Sequence, residues 1–220
     1  MSRSPILLCL LLIMAACTAD QYETGDGRYS YLSADFVRAH TSMAGAIDYA
    51  VTDDGDSLVL HPEGKASWAA KTDSVYRALL YYNKVKGGAE PVAIIRVPVI
   101  VPMSTSRPDT LRTDPMTLES AWMSKDGRYL NVGYAVKAGR SDQADMQYQM
   151  LGVRLDSTVV DNAGDKKCAL IMYHDQHGVP EYYSVRGYAS ISLDQVQRPC
   201  TLELTVNTYS GIVRRVFRCE

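Results

Sequence analysis

Through most of this chain an apolar side chain recurs at every second residue. In AIDYAV, Ile47, Tyr49 and Val51 share a face, and in IIRVPVIV Ile95, Val97, Val99 and Val101 do. In YLNVGYAV the shared face is Leu130, Val132, Tyr134 and Val136; in CTLELTVN it is Cys200, Leu202, Leu204 and Val206. Period two is the repeat of a pleated strand with one face toward a core. The intervals carry turn chemistry: Asp53-Asp54-Gly55, Lys86-Gly87-Gly88, Lys125-Asp126-Gly127, His177-Gly178 and Tyr209-Ser210-Gly211. Short strands punctuated this way predict an all-β protein of barrels or sandwiches.

Two stretches are less regular. WAAKTDSVYRALLYYN carries some helical spacing, but aromatic and branched residues crowd Val75–Asn83, which therefore reads as a strand. In MQYQMLGVRL the apolar phase flips between Met150 and Leu151, which predicts a bulge near Gly152. The Pro-rich stretch PMSTSRPDTLRTDP, residues 102–115, has almost no apolar pattern and reads as a domain boundary. The expected layout is a small OB-like β-barrel over 28–105, a linker over 106–116 and an immunoglobulin-like β-sandwich of about seven strands over 117–220.

The first residues predict an address. Arg3 precedes an apolar run, Pro5–Ala16. As a helix that run reaches only ~18 Å, against a hydrocarbon core of ~30 Å. It reads as an export signal over 1–16. Ala15-Ala16 directly before Cys17, with Met14 in the place where leucine is usual, reads as a lipobox. Cys17 is the expected lipid attachment site, and residues 17–27 the lipidated tether. An outer-membrane anchor is expected, with its periplasmic or cell-surface face left open.

Composition narrows the function classes. The formal charge is −2 and no basic run occurs, so nucleic acid is not an expected partner. Tyr is used fifteen times, against two Phe and two Trp. Most of these rings are expected in the core, since Tyr fits a half-buried pleated surface. The alternative is a glycan platform, which requires Trp68, Trp122, Tyr182 and Tyr183 to form one exposed patch.

Beyond the signal and Cys17 the cysteines are Cys168, Cys200 and Cys219. Cys200 and Cys219 end the two strands of the last hairpin. A two-residue turn at Tyr209-Ser210 sets them opposite each other, with Cα atoms ~5.5 Å apart, within disulfide range. A longer, bulged loop around Gly211 would shift that register, and a Cys168–Cys219 bridge is the other pairing.

Candidate chemistry is sparse. His174-Asp175-Gln176-His177 contains two imidazoles and a carboxylate, but strand side chains alternate and do not aim both rings at one point. Asp53-Asp54-Gly55-Asp56 lacks the spacing of a calcium loop and reads as a hairpin turn. No G-x-S-x-G elbow, Walker loop or H-E-x-x-H motif occurs in the sequence. No metal, cofactor or catalytic residue is therefore expected.

Ala121-Trp122 followed by Tyr129-Leu130-Asn131-Val132, and Leu170-Ile171-Met172-Tyr173-His174-Asp175, resemble the corresponding segments of the NigD-like lipoproteins of Gram-negative anaerobes. The order of lipobox, small barrel, Pro-rich joint and sandwich is similar too. The resemblance implies an N-terminal OB-like domain and a C-terminal β-sandwich. It implies a bacteriocin-associated role and no catalytic residues.

The expected function is a non-catalytic binding or assembly module of the envelope, held to the membrane by its lipid and engaging a protein partner. A glycan-binding surface lipoprotein and an envelope hydrolase are the alternatives. Mass spectrometry of the mature N-terminus is predicted to find diacylglyceryl-modified Cys17. Cys17→Ser should shift the protein from the membrane fraction to the soluble one.

Overall fold

The alternating segments form β-strands, and the strands fall into two groups with separate cores. The computed structural model describes residues 32–104, 112–140, 148–160 and 166–220, with the side chains of 157–160 excepted. Cys17, the signal and the tether lie outside the described residues, as does part of the Pro-rich stretch. Among the described residues there is no helix.

The first group is β1 (Leu32–Met43), β2 (Ala46–Thr52), β3 (Ser57–Lys65), β4 (Ser74–Val85) and β5 (Gly88–Arg96). They close into a barrel in the order β1-β2-β3-β5-β4, with β3 and β5 parallel. This is the expected OB-like barrel, and closure leaves it no unpaired edge. Inward-facing residues alternate as the pleat requires: Val37 and Ala39 from β1, and Ala78, Leu80 and Tyr82 from β4, are buried in one cluster with Ile47 and Leu60. Trp68, in the β3–β4 connection, packs on this cluster, its ring edge-to-face with Tyr76 at 5.7 Å.

The second group makes two four-stranded sheets. One has the order β13-β12-β10-β9 and the other β6-β11-β8-β7. Their strands are β6 (Val99–Ile100), β7 (Thr117–Met123), β8 (Tyr129–Ala138), β9 (Met150–Val160), β10 (Lys166–Asp175), β11 (Tyr183–Ser192), β12 (Cys200–Thr208) and β13 (Gly211–Cys219). Leu130 and Val132, Leu170 and Met172, Ile191, Leu202 and Leu204 meet between the sheets. The result is a β-sandwich. Ser33–Glu220 forms one compact unit that contains both groups.

Three local readings can be compared with the pairing. Val75–Asn83 is a strand, inside β4. IIRVPVIV is not one strand. β5 ends at Arg96, and Val99-Ile100 pairs with β11 of the sandwich. The chain passes from barrel to sandwich at Pro98, before residue 105. The residue without an N–H sits where the ladder is interrupted, and its carbonyl accepts from Ser190 N–H at 2.9 Å. The extra residue of β9 is not at Gly152. The register slips between the pairs Leu155–Leu170 and Thr158–Cys168. Met150 simply begins the strand on its exposed face, and Leu151, Val153 and Leu155 turn to the core. Gly152 answers a different need: a Cβ there would lie 2.1 Å from Cζ of Tyr173, whose ring covers it.

Candidate functional site

β4 has two faces, and both are buried. Ala78, Leu80 and Tyr82 point into the barrel, which leaves Arg77, Leu79 and Tyr81 facing the sandwich. Arg77 has a side chain only 1 % exposed. A guanidinium placed there must find hydrogen-bond acceptors for its fork. Asp53, in the β2–β3 turn, takes it bidentately, with Nη1–Oδ1 at 2.5 Å and Nη2–Oδ2 at 2.7 Å. From the sandwich, Asn131 Oδ1 accepts from Nη2 at 3.0 Å and Ser190 Oγ accepts from Nε at 3.0 Å. Ser190 donates in turn to Asn131 Oδ1 at 2.7 Å, and Asn131 Nδ2 donates to Asp53 at 3.2 Å. The guanidinium carbon stands 4.3 Å from the centre of the Tyr129 ring and 5.4 Å from that of Phe36. Barrel and sandwich are thus joined through one satisfied polar cluster.

Beside this cluster a cleft of about 460 Å³ opens between the two halves. Phe36 enters from β1, Tyr81 from β4, Trp122 from β7 and Tyr188 from β11. Phe36, Trp122 and Tyr188 pack edge-to-face, with centroids 5.3, 5.4 and 6.2 Å apart. Tyr188 keeps 44 % of its surface exposed. It lies over Gly133, its cross-strand partner, where a Cβ would meet Tyr188 Cε1 at 3.1 Å and Ser120 Oγ at 2.5 Å. Asp35, Asp54 and Lys125 supply charge at the walls. Lys125 and Asp54 pair at 3.6 Å, and the Tyr82 hydroxyl donates to Asp35 at 2.8 Å. Burial, with that hydrogen bond, pushes the Tyr82 hydroxyl up to about 12.

Other residues singled out from the sequence are dispersed. His174 is buried and its Nε2 meets Gln149 Oε1 at 3.1 Å, whereas His177 is exposed in the following turn. The two rings do not meet. Asp53-Asp54-Gly55 is the β2–β3 turn, with Gly55 at φ 92°. Trp68 belongs to the barrel and Trp122 to the cleft. Tyr182 and Tyr183 are exposed at the far end of β11. Tyr183 pairs with Ala138 and Trp122 with Asn131, so along β8 they stand about 24 Å apart at ~3.4 Å per residue. The four rings form no single patch. Cys200 and Cys219 are buried thiols.

A second polar cluster, not anticipated from the sequence, lies on the barrel. His40 Nδ1 meets Asp48 at 2.7 Å and Nε2 meets Asp73 at 3.0 Å, while the ring stacks on Tyr49 at 4.6 Å. The hydrogen bonds to Asp48 and then Asp73 hold the imidazole above its ordinary value against the effect of burial. Burial alone would raise the Asp48 carboxyl. The bonds from His40 and from backbone N–H groups outweigh it and leave that group below its ordinary value.

The model of the NigD-like C-terminal beta sandwich domain family matches residues 99–217, more than half of the chain. The chain belongs to the NigD-like family. No curated protein matches it significantly. Among solved structures, this NigD-like chain is similar to a NigD-like immunity protein from Bacteroides caccae at 19% identity and a TM-score of 0.65, covering 86% of this chain and 97% of that one. It is similar to a protein from Parabacteroides distasonis provisionally named as toxin-related, at 14% identity and a TM-score of 0.61, over 85% and 92% of the two chains. A Bacteroides fragilis protein provisionally named a lipoprotein matches at 8% identity and a TM-score of 0.54, over 85% and 96%. At these identities the likeness is one of fold.

In this NigD-like chain, Trp122, Tyr129 and Asn131 of the first quoted segment join Tyr188 and Ser190 of β11 as the sandwich's contribution to the Arg77 cluster and its cleft. Arg77, Ser190 and Tyr188 were not singled out, and Asp53 was read only as a turn residue. A visible signal existed: Arg77 is the lone charge in the apolar run VYRALLYY, and a lone charge in a doubly buried strand demands a partner.

Two outcomes follow from these clusters. Arg77→Ala is expected to cost about 3–5 kcal/mol in urea unfolding, because it leaves Asp53 buried without its counter-charge. The double variant Arg77→Met with Asp53→Leu should recover much of that loss. For His40→Ala, the destabilisation is expected to be largest near pH ~5–6. A raised folded pKa means its contribution is present below the unfolded value and fades as pH rises through the folded one. The lowered Asp48 value means the contribution also fades in acid, as pH falls through it. Urea midpoints of wild type and variant across pH check both limbs.

Proposed function

We propose that this protein is an outer-membrane lipoprotein, anchored through Cys17, that binds a protein partner without catalysing a reaction, in a bacteriocin-associated role of the immunity kind. The observation that carries the binding reading is the junction cleft. Its aromatic rings come from both halves of the molecule, and the Arg77 cluster beneath them holds those halves in one arrangement. A partly exposed aromatic group on a rigid support suits recognition, since little side-chain freedom remains to be lost on binding. Family membership and the immunity protein among its structural neighbours support the bacteriocin association. The polar groups of Arg77 and His40 are engaged with Asp53 and with Asp48 and Asp73, which favours structural roles for them over catalytic ones.

The test is made in the native host. Deletion of the gene is expected to sensitise cells to culture supernatants of antagonistic relatives, and wild-type protein to restore tolerance. Cys17→Ser should fail to restore it. Tyr188→Ala should restore it poorly, while Tyr183→Ala, an exposed ring far from the cleft, should restore it fully. Unchanged tolerance in the deletion strain would remove the immunity role. Turnover of an envelope substrate by the purified protein would remove the non-catalytic reading.

A further inference from the structure

The three cysteines of the sandwich converge on one end of its core. Cys200 opens β12 and Cys219 closes β13, and the register places them directly opposite each other. The closing pair of that hairpin is Thr208–Gly211, and no slip occurs along it. Its loop is therefore the two-residue turn Tyr209-Ser210, with Gly211 at φ 107° absorbing the left-handed backbone. Counted back from the closing pair, Cys200 and Cys219 fall in a hydrogen-bonded position, where Cα atoms lie ~5.5 Å apart. That is inside the range a disulfide spans.

Cys168 belongs to the same buried cluster but not to the same pair. It lies on β10 opposite Leu202, two residues along β12 from Cys200, which sets its Cα ~8 Å from that of Cys200. It is separated from Cys219 by the whole of β12, two strand spacings of ~4.8 Å. Both separations exceed the ~7 Å beyond which a bridge requires backbone movement. A cleft of about 420 Å³, walled by Lys166, Cys200, Arg218, Cys219 and Glu220, borders the opposed pair, which is itself buried, 8% exposed at Cys200 and 3% at Cys219.

We propose that Cys200 and Cys219 are an oxidation site that accepts a disulfide-bearing oxidant through this cleft and closes as a cross-strand bridge, with Cys168 retained as a thiol. Either sulfur can begin the exchange. Burial raises the Cys219 thiol, but the Cys200 hydrogen bond and the Arg198 charge act in the opposite direction. Burial and the neighbouring thiols hold Cys200 up at about 12. When Cys219 begins, its thiolate attacks one sulfur of the oxidant, forming a mixed disulfide and releasing one thiolate. Cys200 then loses its proton and attacks Sγ of Cys219, forming the bridge and releasing the second thiolate. Two thiol protons leave, and two electrons reduce the oxidant's disulfide to two thiols. The bridge ties the terminal residues of β13, an edge strand at the end of the chain, to a central strand. It depends on strand register alone and does not rest on the proposed partner or anchor.

The experiment uses the purified full chain incubated with oxidised glutathione, then alkylated in denaturant and mapped without reduction. Alkylation at Cys168 and a Cys200–Cys219 linked peptide are expected, with those two labelled only after reduction. Cys168→Ser should retain the linked peptide, and Cys219→Ser should leave Cys168 and Cys200 both open to label. Three labelled cysteines in the oxidised wild-type protein would overturn the proposal. So would any intramolecular bridge to Cys168.

Discussion

A buried guanidinium is the constraint around which this protein is arranged. Arg77 stands on a barrel strand whose other face already fills the barrel, so its charge is driven toward the sandwich. Removing it from water costs several kcal/mol unless each N–H finds a partner. Asp53 supplies the opposite charge, and Asn131 and Ser190 supply acceptors from two adjacent sandwich strands. Those three partners come from separate parts of the chain. They are satisfied together only when the β2–β3 turn, β8 and β11 hold one mutual position. A buried polar cluster of this kind adds little to stability but penalises every other docking of the two halves.

The cleft is a consequence of that docking. The gap beside Arg77 is bordered by the large rings that each surface carries. Phe36 is held by Trp122 and Tyr188, and Tyr188 is held down by the missing side chain of Gly133. The rings are supported by strands rather than by loops, which suits a rigid recognition surface. Edge strands offer less. The barrel has none, and Met103 bonds to Val153 and Leu155 along the outer edge of β9. The β13 edge carries Arg214, Arg215 and Arg218, charges of the kind that discourage strand addition.

Much of the architecture was legible from local pattern. Period-two alternation and turn residues are properties of neighbouring positions, and they located β2, β8 and β12, and β4 against its partial helical spacing. The last hairpin was legible for the same reason: once Tyr209-Ser210 is the turn, every pair down to Cys200–Cys219 follows by counting. Misreadings arose where one pattern served two surroundings. IIRVPVIV alternates without a break, yet Pro98 hands the chain from one core to the other. The bulge expected near Gly152 rested on the flip in apolar phase at Met150, which is only an exposed residue at the start of the strand.

The sequence by itself determined where the turns fall and that the chain is all-β, since strand periodicity and turn chemistry are encoded within a few consecutive positions. It misplaced Tyr49 and Ile95, which are exposed while Ala50 and Ile94 turn to the barrel core. Only the tertiary structure decided what Arg77, Asp53, Asn131 and Ser190 do, and that Phe36, Trp122 and Tyr188 share a cleft. Members of one group lie as much as 152 positions apart, from Phe36 to Tyr188. No local rule relates them. The relation is set by the demand that a buried charge be satisfied when two separately patterned surfaces meet.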